Sequence, residues 1–104
     1  MTQVHDTCLI ILLPKSVEET LIDHLLEHPE WVSGFTTTEV NGHGRSVPCH
    51  GPAEEVRGRS ARVQVQIVMN AADAQALLAH LKDSMRNREI AYWLTPVTEF
   101  GRFA

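Results

Sequence analysis

Apolar and polar positions along the chain alternate in a way that predicts six elements in two similar halves. Residues 7–13 (TCLIILL) form a continuous apolar run closed by Pro14, the pattern of a strand covered by its neighbours. A helix start follows. Ser16 is placed to cap, with Glu19 three residues on as the partner of a capping box. Val17, Leu21, Ile22, Leu25 and Leu26 then recur at helical spacing, and the helix is expected to stop near His28, because Pro29 disfavours helical geometry in the residue before it. Residues 33–40 (SGFTTTEV) are rich in Thr and read as a second strand.

Periodicity is then lost between residues 41 and 60, a stretch holding Gly42, Gly44, Pro48, Gly51, Pro52 and Gly58. It reads as a long central loop. Residues 61–69 restore a strict period of two, with Val63, Val65 and Ile67 on one face and Arg62, Gln64 and Gln66 on the other. Asn70 and Asp73 open a second helix whose stripe is Ala74, Leu77, Leu78 and Leu81. Residues 89–97 (EIAYWLTPV) close as a strand with Ile90, Tyr92 and Leu94 on one face; Pro96 confines its far end to an edge or a bulge.

The order β-α-β-loop-β-α-β predicts an α+β, ferredoxin-like antiparallel sheet of four strands with both helices on one face. Right-handed crossovers put the first and third strands in the centre. The uncovered face would carry Gln64, Gln66, several threonines and Trp93, and a partly apolar open face calls for self-association. A chain of 104 residues fits one domain, 1–104. At that size only ~60–65% of the unfolded surface is buried, so assembly would help it.

The net charge of −4 argues against generic nucleic-acid binding, which needs a basic face. The arginines are uneven, however, with Arg45, Arg57, Arg59 and Arg62 in or beside the central loop, so local anion binding stays open. The polar start of the chain, with no basic cluster, is unlike a signal peptide, and the 8–13 run is too short to cross a bilayer. A cytoplasmic protein with reduced thiols is expected, with Cys8 buried in a strand and Cys49 in the loop rather than bridged.

A loop of this length is usually functional or disordered. In V-N-G-H-G-R (residues 40–45), the two glycines around His43 can turn backbone N–H groups inward as an anion nest, to which Arg45 adds bidentate donors; the alternative is that they merely let the strand turn away. His43, Cys49 and His50 offer one thiolate and two imidazoles, suited to Cu, Zn, Ni or Co, although H-x5-C-H is no recognised zinc spacing; the alternative is that they are solvated loop residues. His24 and His28 stand i,i+4 on the first helix but read as surface groups, as do His5 and His80. Cys49 beside His50 lacks an orienting third group, and no paired-carboxylate or phosphate-loop pattern occurs, so an enzyme is not expected.

The element order with V-N-G-H-G-R at the loop entry resembles the PII signalling superfamily, whose typical members carry V-K-G-F-G-R-Q there. The segments GFTTTEVNGHGR (34–45), GRSARVQVQI (58–67) and YWLTPVxExGR (92–102) resemble, more narrowly, a small PII-like family of unknown function. The resemblance implies a compact homotrimer with inward-facing sheets, effectors bound between subunits, and a loop that touches a transporter or an enzyme. On it, Gly42, Gly44 and Arg45 match positions that meet nucleotide phosphates, and Arg102, ending the third segment, joins them as an anion-binding candidate. Three departures work against nucleotide: Ser46 replaces Gln, residues 85–90 (MRNREI) replace the G-D-G-K-I clamp, and the arm after the last strand is short. The resemblance also associates the family with heavy-metal efflux pumps. The expected function is therefore a regulator whose loop senses a metal ion or small anion and docks on an inner-membrane efflux transporter. The alternatives are a metal-buffering trimer of the divalent-cation-tolerance type and a nucleotide sensor.

Overall fold

A computed structural model describes residues 4–44 and 60–104. The elements are β1 (Thr7–Pro14), a 3-10 turn (Lys15–Val17), α1 (Glu18–Leu26), β2 (Thr36–Gly42), β3 (Ser60–Met69), α2 (Ala71–Ser84) and β4 (Ala91–Pro96). The strands form one sheet in the order β2-β3-β1-β4, every pair antiparallel. The expected ferredoxin-like fold is present, with β1 and β3 central.

Its physical basis is the alternation along the two central strands. Leu9, Ile11 and Leu13 of β1 and Val63, Val65, Ile67 and Met69 of β3 point to one side and are buried against Leu21 and Leu25 of α1 and Ala74, Leu77, Leu78 and Leu81 of α2. Deleting one such side chain, as in Leu77→Ala, costs ~2–5 kcal/mol. Among the described residues no helix covers the other face. There Cys8 and Ile10 are buried among the flanking rows, Ile10 lying between Gln66 and Trp93.

Three local expectations are corrected. No capping box forms at Ser16. The chain leaving β1 first makes the 3-10 turn, in which the Glu18 N–H bonds to the Lys15 carbonyl, so Ser16 lies inside the turn and α1 begins at Glu18 without a side-chain cap. β2 runs later than its composition suggests, because pairing sets it: Thr36 faces Gln66, and Gly42 still faces Ser60. Asn41, Gly42 and Ser60 are therefore strand, so the segment between the two strands is 43–59. By contrast, α2 begins as expected, with Asn70 Oδ1 accepting from the Asp73 N–H at 2.8 Å.

Arg62 is buried, on the open side of β3, in the row of Pro14. Pro14 has no N–H to extend the β1–β4 ladder beyond the Leu12–Ala91 pair. Arg62 Nη1 instead donates to the Glu89 carbonyl at 3.1 Å, tying β3 to the segment that leads into β4.

Candidate functional site

Gly42 ends the paired stem, and His43 and Gly44 follow it as exposed residues. Of the two loop-entry glycines, Gly44 is the one whose backbone conformation favours glycine. Gly44 has φ +120°, which side chains disfavour, and open space surrounds the place a Cβ would occupy; Gly42 is extended strand. Arg45, Cys49 and His50 lie outside the described residues, so of the metal set only His43 is placed. Among the described residues no three His, Cys, Asp or Glu groups are disposed to hold a metal as they stand.

At the same end of the sheet, but at the β4 edge, a cleft of about 210 Å³ opens on the helix side. Its floor is apolar (Ile11, Leu21, Leu81, Met85, Ile90) and its rim carries Lys82, Arg86, Asn87 and Tyr92. Lys82 Nζ donates to the Tyr92 hydroxyl at 2.6 Å and stands 4.5 Å from its ring centroid, while Arg86 is loosely paired with Asp83 at 3.9 Å. The turn replacing the glycine clamp is held by Asn87: its side-chain oxygen accepts from the Glu89 N–H at 2.9 Å, and its carbonyl from the Ile90 N–H at 3.1 Å. An apolar floor under a cationic rim suits a flat anion such as a nucleotide.

Arg102 is elsewhere. It lines a hollow of about 500 Å³ at the opposite end of β2, with His5, Phe35, Thr36, Val68 and Phe100. From Thr36 to Gly42 is six steps of strand, ~20 Å, and from β2 to β4 three strand spacings, ~14 Å. One chain therefore does not bring Gly42, Gly44, the 85–90 turn and Arg102 into a single site.

The histidines expected to be plain surface groups are not. His5 stacks on Phe100 with centroids 4.6 Å apart. His24 and His28 of the first helical region meet His80 of α2, and Trp31 stacks on His28 at 4.8 Å. A hydrogen bond with His28, helped by a backbone bond, holds the Glu30 carboxyl below its ordinary range. Sequence spacing showed half of this group, His24 with His28, but joining it to His80 requires the packing of α1 on α2.

No helix among the described residues is long and apolar enough to cross a membrane. No curated protein matches the sequence. Among solved structures, a DUF3240 family protein from Shewanella baltica OS155 is 22% identical with TM-score 0.76, covering 97% of this chain and 99% of its own. CPII from Thiomonas intermedia K12, a nitrogen regulatory PII-like protein bound to ADP, AMP and bicarbonate, is 18% identical with TM-score 0.69 and 93% of each chain covered. A PII-like signalling protein from Thermus thermophilus is 16% identical with TM-score 0.65, covering 93% of this chain and 91% of its own. These likenesses establish a PII-like fold. With the family described as protein of unknown function (DUF3240) matched over residues 3–104, the chain belongs to the DUF3240 family.

Proposed function

We propose that this protein is a self-associating PII-like regulator that binds an anionic effector of the nucleotide or bicarbonate class between subunits and reports it through segment 43–59 to a partner protein. The observation that carries the reading is the split site. The Gly42–Gly44 exit and the Lys82/Arg86 cleft share one end of the sheet but sit on opposite edges, so only a second copy can bring them together. The homotrimer implied by the family resemblance supplies such a copy, and CPII, on the same fold, is bound to ADP, AMP and bicarbonate. Arg45, which follows Gly44, is the further cation assigned to the anion from the same chain; Arg102, at the opposite end of β2, is assigned to it from a neighbouring copy.

Titration of the purified protein with ADP, AMP and bicarbonate by calorimetry, alongside light scattering for mass, tests the reading. Micromolar binding to an oligomer, weakened tenfold or more by Arg86→Ala, is expected. Binding of none of the three, or equal binding by a monomer, overturns it.

The competing effector is a transition metal held by His43, Cys49 and His50, and the same calorimeter reads it with Zn(II) or Ni(II) before and after replacing those three residues. The partner under either reading is an inner-membrane efflux transporter. Its cytoplasmic domain should retain the protein in one effector state only.

A further inference from the structure

Away from both clefts, three imidazoles converge where α1 packs on α2. His28 Nε2 and His80 Nε2 are 3.1 Å apart. Two imidazole nitrogens bound to one cation at 2.0–2.1 Å stand about 2.9–3.4 Å apart, depending on the coordination angle. The observed separation therefore needs little adjustment to accept an ion. Hydrogen bonding between two neutral rings gives the same distance, but two further features separate a ligand pair from simple packing.

The first is the outer partner. His28 Nδ1 lies 3.0 Å from Glu30 Oε2, an arrangement that keeps the proton on Nδ1 and turns the Nε2 lone pair toward His80. A carboxylate behind a histidine is the usual outer support of a metal-binding imidazole, raising its basicity and fixing its ring. The second is His24, one turn before His28, with its ring edge-on to His80 at 5.4 Å; its Nδ1 is buried and has no hydrogen-bond partner among the described residues. Ser84 Oγ lies 3.5 Å from His80 Nε2.

We propose that His28 and His80 form a two-nitrogen site for a divalent transition cation such as Zn(II) or Ni(II), with His24 as the adjacent third imidazole, clamping α1 to α2. The rings do not form a closed three-ligand set as they stand, so the ion keeps water ligands and exchanges readily. This site shares no residue with the effector cleft or with His43, Cys49 and His50. A cation here binds only the folded chain, because it needs residues 52 positions apart in sequence, and so it stabilises the fold by mass action.

The test uses the full chain carrying His43→Ala, Cys49→Ser and His50→Ala, freed of metal with a chelator, so that success or failure of the loop reading cannot contribute. Ni(II) or Zn(II) is added while melting temperature and tryptophan emission are followed; Trp31, stacked on His28, is the local reporter, and Trp93→Phe removes the other indole. A rise in melting temperature with one-to-one saturation and a change in Trp31 emission are expected, both abolished by His80→Ala. Glu30→Gln, which keeps both ligands, should weaken the affinity about tenfold. Should His80→Ala fail to fold, the Glu30→Gln affinity alone decides. No metal effect, an effect that survives His80→Ala, or an affinity unchanged by Glu30→Gln overturns the proposal.

Discussion

The two edges of the sheet have the same topological status and opposite chemistry. β2 presents Thr36, Thr37, Thr38, Glu39 and Asn41 to solvent, and its other neighbour is β3. β4 leaves Tyr92 (42% exposed), Trp93 (42%) and Leu94 (38%) open, although Tyr92 and Leu94 face the same side as the buried Ile11 and Leu9. Lys82 of α2 reaches over the Tyr92 ring, but the three side chains stay exposed. Hydrophobic edges invite pairing with another chain, and polar ones resist it. On the proposed self-association, the contrast puts the contact between copies at β4, while β2 leads into the central segment.

The largest effect should come from breaking β4. Trp93→Glu is expected to convert the assembled protein to a folded monomer by light scattering, whereas Thr37→Glu on β2 leaves the mass unchanged; equal behaviour of the two removes the contrast. Next is the link behind β4. Arg62→Met leaves the Glu89 carbonyl without its donor and should cost ~1–3 kcal/mol in chemical denaturation. Amide exchange should accelerate in β4 more than in β2.

Smaller differences separate the helix entries that flank the edges. Asn70→Ala removes the cap of α2, which contacts β4 through Lys82 and Tyr92, and should cost ~1 kcal/mol. Ser16→Ala, near β2, should fall within ~0.5 kcal/mol of zero, since no cap exists there. Gly44→Ala meets open space but a disfavoured φ, a strain of ~1–3 kcal/mol; its signature is weaker effector binding with little change in melting temperature if the exit relaxes.

Smallest is Lys15→Gln. The hydrogen bond to Glu39, opposed by desolvation and helped by the charges of Glu39 and Glu18, raises the Lys15 pKa above its ordinary 10.5. A raised folded-state pKa stabilises below the unfolded value and loses that contribution as pH rises through the folded one, so the pair acts throughout neutral pH and fades above about 10.5. Both side chains are exposed and screened, and the melting temperature at pH 7 should move within measurement scatter.

What was legible in the sequence follows the same division. The alternation of residues 61–69, the apolar run before Pro14 and the Asn70–Asp73 cap are local signals, and the fold and strand order followed from them. The false capping box at Ser16 shows the limit of such signals. A side chain and its partner three residues on say nothing about the 3-10 turn that the exit from β1 imposes. The bounds of β2 depend on register with β3, which Thr-rich composition cannot report. At the sites, Gly42, Gly44 and Arg102 were visible as residue types, but the ~20 Å of strand that separates the two glycines from Arg102 was not. His80 looked solitary because its partners lie on the other helix.

The pair Gly42–Ser60 has a consequence for how such a protein diversifies. It pins the two ends of segment 43–59 side by side on a stem held by the full β2–β3 ladder. Doubling the length of chain closed by such a pair adds only ~0.6 kcal/mol of closure entropy. The segment thus behaves as an interchangeable cassette, free to be rewritten for a new partner while the domain beneath it keeps the same sequence constraints.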